Sequence, residues 1–111
     1  ARIFIENGIN EGRGVSYYPN GLRSSESFYF KGELQGLSRK WFEDGTPMTR
    51  GYYSNGMKDG LFTTYYESGK VFEEIEYKYG TPKLKRVYRE DGTLADEIGY
   101  FDKEVIKRIV G

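Results

Sequence analysis

A chain of 111 residues is the size of one domain, and its 17 basic and 17 acidic side chains leave no net charge. That balance excludes a global electrostatic pull toward DNA, RNA or anionic lipid. The absence of Cys and His excludes disulfides, thiolate metal sites, a thiol nucleophile and the commonest general base.

The elements follow one another at a fixed step. "RIFIENG" (2–8) reads as the second strand of a truncated unit, with Ile5 in a column that later holds tyrosines. Full units cover about 9–32, 33–56, 57–80 and 81–103, and "EVIKRIVG" (104–111) reads as a β-branched capping strand. The 24-residue period is carried by Gly8, Gly32, Gly56 and Gly80, by Gly12, Gly36 and Gly60, and by Gly21, Gly45 and Gly69. Gly92 comes one residue early, because "GTPKL" replaces the "GELQGL" of the second unit. Aromatics keep the same step: Tyr17, Trp41, Tyr65 and Tyr88 form one column, and Tyr29, Tyr53, Tyr77 and Tyr100 another. A third column, Tyr18, Phe42 and Tyr66, is broken by Arg89. A chain that opens on Ala1 rather than Met is expected to have lost something upstream: a tag, a signal peptide or further repeats.

Each unit contains a turn quartet: "YPNG" (18–21), "FEDG" (42–45), "YESG" (66–69) and "REDG" (89–92). Pro or Glu second, Asn, Asp or Ser third and Gly fourth suit a type I turn followed by a left-handed residue, the bulged three-residue hairpin loop. Each quartet therefore predicts an antiparallel hairpin, with residue 18 opposite 22, 42 opposite 46, 66 opposite 70 and 89 opposite 93. Counting outward, Tyr88 should face Leu94, Arg86 Asp96, Lys85 Glu97 and Leu84 Ile98. In the third unit Tyr65 should face Val71 and Leu61 Ile75. Apolar then meets apolar and opposite charges meet.

Alternation sorts these residues onto two faces. One should carry Leu37, Trp41, Tyr53, Leu61, Tyr65, Val71, Ile75, Tyr77, Leu84, Tyr88, Leu94, Ile98 and Tyr100. The other should carry charges and a second aromatic set: Phe28, Phe42, Met48, Tyr52, Phe62, Tyr66 and Phe72. The expected fold is all-β, an elongated single-layer twisted antiparallel sheet of about nine strands in tandem hairpin repeats.

The segments "YYPNGLRSSESFYFKGELQG" (17–36), "WFEDGTPMTRGYYSNGMKDG" (41–60) and "YYESGKVFEEIEYKYG" (65–80), with a degenerate copy "YREDGTLADEIGYFDK" (88–103), resemble the MORN repeat. The pattern is most similar to the bacterial variant of the YwqK-type antitoxin family. The resemblance implies a sheet of hairpins that acts by binding other macromolecules, a protein partner first of all, as an antitoxin or immunity protein does. It implies no chemistry of the chain's own.

The residues agree with that expectation. Without His, a standard Ser triad cannot be assembled. The acids sit in strand rows, often opposite Arg or Lys, which reads as a solvated face with cross-strand ion pairs rather than a catalytic carboxylate pair. "EDG" at 43–45 and 90–92 is turn chemistry and lacks the oxygen series of a calcium loop. No cofactor, metal or nucleic acid is expected. Tyr17, Trp41, Tyr65, Tyr88, Tyr29, Tyr53, Tyr77 and Tyr100 read as the packing ladder of a one-layer sheet. Phe28, Phe42, Met48, Tyr52, Phe62, Tyr66 and Phe72 form the candidate binding surface. Carbohydrate or cell-wall binding through an aromatic ladder, with Trp41 in it, is the alternative, and anionic lipid a third reading. Two open sheet edges also allow edge-to-edge pairing of copies. The compartment stays open between bacterial cytoplasm and export.

Overall fold

The computed structural model describes the backbone of residues 2–5, 12–101 and 104–109, and the side chains of 12–100. Ile5's side chain, Gly8, Val110 and Gly111 lie outside the described residues.

All four turn quartets close as the sequence predicts. Tyr18, Phe42, Tyr66 and Arg89 each donate their N–H to the carbonyl four residues on, at 2.8–2.9 Å. Gly21, Gly45, Gly69 and Gly92 donate back to the same four residues at 2.9 Å, with φ between 90° and 94°. That φ is the left-handed region which a Cβ disfavours. In two of the turns the aspartate acts as a local brace: the Thr46 and Thr93 amides donate to Asp44 and Asp91 at 2.9 Å.

Consecutive hairpins are joined by a second, tighter turn. Lys31–Gly32, Asn55–Gly56 and Tyr79–Gly80 all have positive φ, 51° followed by 77–82°. They connect the pairs Phe30↔Glu33, Ser54↔Met57 and Lys78↔Thr81. Two residues at positive φ between paired strands are the type I′ hairpin turn, whose twist matches the strands it joins.

Among the described residues the result is a meander of β1 (Arg2–Ile5), β2 (Gly12–Tyr17), β3 (Arg23–Phe30), the two-residue β4 (Glu33–Leu34), β5 (Gly36–Trp41), β6 (Pro47–Ser54), β7 (Met57–Tyr65), β8 (Val71–Lys78), β9 (Thr81–Tyr88), β10 (Leu94–Phe101) and β11 (Glu104–Ile109), the open antiparallel sheet of hairpins that the sequence predicts. They lie in the order β1-β2-β3-β5-β6-β7-β8-β9-β10-β11, with β4 also on β3. Principal extents of 47 × 33 × 14 Å show one layer. The radius of gyration, 16.0 Å, exceeds the ~13 Å of a compact chain this long. Among the described hydrophobic residues only Val15 is buried, at 3% exposure.

The register departs from expectation after the first pair of each hairpin. Tyr88↔Leu94 and Tyr65↔Val71 form as predicted. A bulge then intervenes in every hairpin, leaving Ser24, Met48, Phe72 and Ala95 as the extra residues. Beyond it Arg86 meets Glu97 rather than Asp96, Lys85 meets Ile98 rather than Glu97, and Leu84 meets Gly99 rather than Ile98. Leu61 likewise meets Glu76 rather than Ile75, which pairs with Phe62. One extra residue reverses which side the rest of the strand presents. The expected single apolar face is therefore split. Tyr53, Tyr77, Tyr100, Ile75 and Ile98 lie opposite the face of Trp41, Tyr65, Tyr88, Leu37, Leu61 and Leu84.

Candidate functional site

The two sides can be named by their aromatic columns. The Trp41 face has a mostly charged row at its centre, one residue from each strand between β2 and β10 except the short β4: Val15, Glu26, Arg39, Arg50, Thr63, Glu74, Arg86 and Glu97. Glu26 is 3% exposed and is met by three guanidiniums: Arg39 at 2.5 Å, Arg13 at 3.4 Å and Arg23 at 3.4 Å. Burial of a carboxylate is tolerated only with such compensation. Arg39 and Arg23 also stand over the Trp41 ring, 5.1 and 5.8 Å from its centroid. Further along the row, Arg86 bridges Glu97 at 3.2 Å and Glu76 at 3.6 Å. Tyr88 donates its hydroxyl to Glu74 at 2.8 Å. That bond, together with burial, raises the Tyr88 pKa above the ordinary 10.0, since losing the proton loses the bond.

Beside the charged row runs a largely apolar one, into which Asp59, opposite Tyr52, and Glu76, between Leu61 and Leu84, also fall. Phe28, Tyr52 and Leu61 are exposed by 38, 48 and 42%, with half-buried Leu37 and Leu84 in the same row. A depression of about 250 Å³ lies between Trp41 and Tyr65, and Arg39, Arg50 and Pro47 help to line it.

The Tyr53 face is a trough. Its floor is made of small residues, Ser27, Ser38, Thr49, Gly51 and Thr64, and its volume is about 410 Å³. Ser38 donates its hydroxyl to Ser27 across the floor at 3.0 Å. The rim is a ring stack: Phe62 stands edge-on between Tyr53 (5.3 Å) and Tyr77 (5.2 Å). The Lys58 ammonium sits over the Phe62 and Tyr77 rings at 5.1 and 4.9 Å. A Cβ on Gly51 would come within 2.4 Å of the Phe62 ring, so the ring lies directly on the glycine.

The seven candidate surface residues are not brought together. Phe28 and Tyr52 share the Trp41 face and are exposed. Phe62 belongs to the opposite ring stack. Tyr66 donates its hydroxyl to the Tyr88 carbonyl of the next unit at 2.7 Å and meets Phe72 edge-on at 5.1 Å. Tyr18 does the same to the Trp41 carbonyl at 2.6 Å, and Phe42, in the same column, has no hydroxyl to offer. Met48 and Phe72 are bulge residues. Leu61, Arg39, Arg50 and Glu26 were missed as parts of the surface because the bulge decides which side they share. A third feature lay outside the sequence reading: Phe30, Met57 and Tyr79, exposed by 55, 44 and 75% along the type I′ turn edge.

Bulged hairpins repeated in register along an open single sheet define a tandem β-hairpin repeat protein. Residues 58–79 match the MORN repeat variant, so the chain carries that repeat, and its bulged turn recurs through all four units. No curated protein matches the chain in sequence. Among solved structures it resembles an S. aureus TarM mutant in complex with fondaparinux, alpha-GlcNAc-glycerol and UDP, at 16% identity and a TM-score of 0.56. That match covers 96% of this chain and 21% of TarM. A second TarM crystal structure gives 16% identity, a TM-score of 0.55, and coverage of 96% and 20%. The chain spans about a fifth of those proteins, and likeness at this identity is one of fold.

Proposed function

We propose that the chain is a protein-binding repeat module without catalytic chemistry of its own, and that it binds through the Trp41 face. The observation that carries this is the exposed row of Phe28, Tyr52 and Leu61 on adjoining hairpins, bordered by charges. Apolar side chains contiguous on a flat face, with a polar margin, are how a partner surface is built. The MORN repeat variant at 58–79 supports a binding role, and neutralisation of a bacterial toxin is the form that the family resemblance suggests. The test is affinity purification with the products of the neighbouring genes, comparing the wild type with Phe28→Ser/Tyr52→Ser. Both positions are exposed, so the fold should survive the change. Retained capture by the double variant refutes the surface.

A carbohydrate reading is favoured by one feature, the trough with its tyrosine rim and hydroxyl floor. Trp41 lies on the other face and plays no part in it. A glycan array probed with wild type and Tyr53→Ala tests this, and a blank array removes it.

A further inference from the structure

We infer that the partner for the Trp41 face is a second copy of this chain, packed face to face about a two-fold axis that runs along the strands between β6 and β7. The inference rests on the binding surface proposed above and names its occupant.

Charge distribution is the first argument. In the first half of the face three arginines (Arg13, Arg23 and Arg39) surround Glu26, and Arg50 stands opposite Arg39 on the next strand, so four bases outnumber two acids, Glu26 and Glu33. In the second half four acids, Asp59, Glu74, Glu76 and Glu97, outnumber two bases, Arg86 and Lys78. The sheet is thus positive toward its start and negative toward its end. A two-fold at its centre lays each half on the opposite half of the other copy, as an isologous interface requires.

Register sharpens the match. With β6 and β7 flanking the axis, β5 lies over β8 of the second copy and β3 over β9. Arg39 then stands over Glu74. Arg50 stands over Thr63, one strand spacing from that same glutamate. The depression between Trp41 and Tyr65, lined by Arg39 and Arg50, is where the Glu74 carboxylate enters. In the neighbouring row Tyr52 falls on Asp59, its register partner within the sheet, with Leu61 beside it, and Phe28 falls on Leu84. Leu37 meets Glu76, whose carboxylate is drawn toward Arg86.

Shape permits the contact. A ten-strand stack with ordinary twist, roughly 20° per strand, would spread its third dimension to nearly a strand length. This sheet is 14 Å thick. Its 47 × 33 Å extents bound a face of about 1,500 Å², against the roughly 800 Å² per partner of a stable interface. A single layer gains a second by pairing with its own kind, at the ~10 Å spacing of packed sheets.

Sedimentation equilibrium on the wild type should give twice the 12.9 kDa monomer mass. Tyr52→Asp should raise the dissociation constant at least tenfold. Arg50→Glu and Glu74→Lys each set like charges together at the crossing and should each sediment as a monomer. An equimolar mixture of the two restores opposite charges at both Arg50 crossings and at one of the two Arg39 crossings, so it should sediment as a dimer where neither variant alone does, which a merely misfolded variant cannot do. A dimer indifferent to all three changes would be edge-to-edge pairing through β1 or β11 and overturns the inference. A monomeric wild type also overturns it. If that monomer loses capture of a neighbouring gene product on Tyr52→Asp, the binding surface stands with a different occupant. If it does not, the surface falls as well.

Discussion

Replacing Gly51 with alanine should destabilise the sheet more than its position, mid-strand in a single-layer protein, would suggest. Gly51 is one of few fully covered residues, and its cover is the Phe62 ring. An added Cβ would lie 2.4–2.5 Å from three ring atoms, too close for anything but displacement of the ring. Displacing Phe62 disturbs its edge-on contacts with Tyr53 and Tyr77, each worth about 0.5–1.5 kcal/mol. Overpacking alone costs about 1–3 kcal/mol. Loss of one ring contact plus moderate strain gives about 2–3 kcal/mol, a large part of the ~5–15 kcal/mol that holds a domain folded. Urea unfolding measures this directly as a fall in midpoint at constant slope. The same substitution in a Phe62→Ala background should cost under ~0.5 kcal/mol, because the clash has gone; that coupling is the signature of contact. A Gly51→Ala variant within ~0.5 kcal/mol of wild type, or an equal cost in both backgrounds, refutes the packing argument.

Glu26→Ala should cost about 3–5 kcal/mol in the same assay, since it leaves three arginines clustered around a void. Tyr66→Phe should lose roughly 1 kcal/mol with the hydrogen bond to the Tyr88 carbonyl, and Phe42→Tyr should gain a similar amount by reaching the Tyr65 carbonyl. Tyr79 holds a φ of 51° that suits Asn or Gly, so Tyr79→Asn should raise the thermal midpoint. Asp44 and Asp91 are held below the ordinary 3.8, first by side-chain hydrogen bonds from Thr46 and Thr93 and then by their amides. A depressed carboxyl stabilises the fold above its unfolded pKa, and that contribution is lost as pH falls through the lower folded value. Acid titration below pH 3.8 should therefore find Asp44→Ala/Asp91→Ala less sensitive than wild type.

The turns were legible because glycine at positive φ is a local demand, stated in the sequence at every Gly21-type position. The period and the two aromatic columns followed from the same demand. The bulges were not legible. Ser24, Met48, Phe72 and Ala95 share no side-chain property, so nothing at those positions announces an extra residue. Because each bulge reverses the strand beyond it, the faces could not be sorted correctly from alternation. Tyr53 and Tyr77 belong to a ring stack with Phe62, and Trp41 to an arginine cluster around Glu26. That cluster is equally silent in sequence, since Glu26 meets Arg39 only through the register after a bulge. Asn55–Gly56 was a readable hairpin signal, whereas Tyr79–Gly80 was not, because tyrosine disfavours that conformation.

Thr63 and Thr64 are chain neighbours on β7 that point to opposite faces, and the chain has no native cysteine. Thr63→Cys and Thr64→Cys each place one thiol on one face, and their maleimide labelling rates can be followed from dilute to concentrated protein. If the Trp41 face is where the molecule binds, Thr63→Cys slows as the assembly forms while Thr64→Cys keeps its dilute rate. Protection of Thr64→Cys with Thr63→Cys left reactive would place binding in the trough and contradict the account.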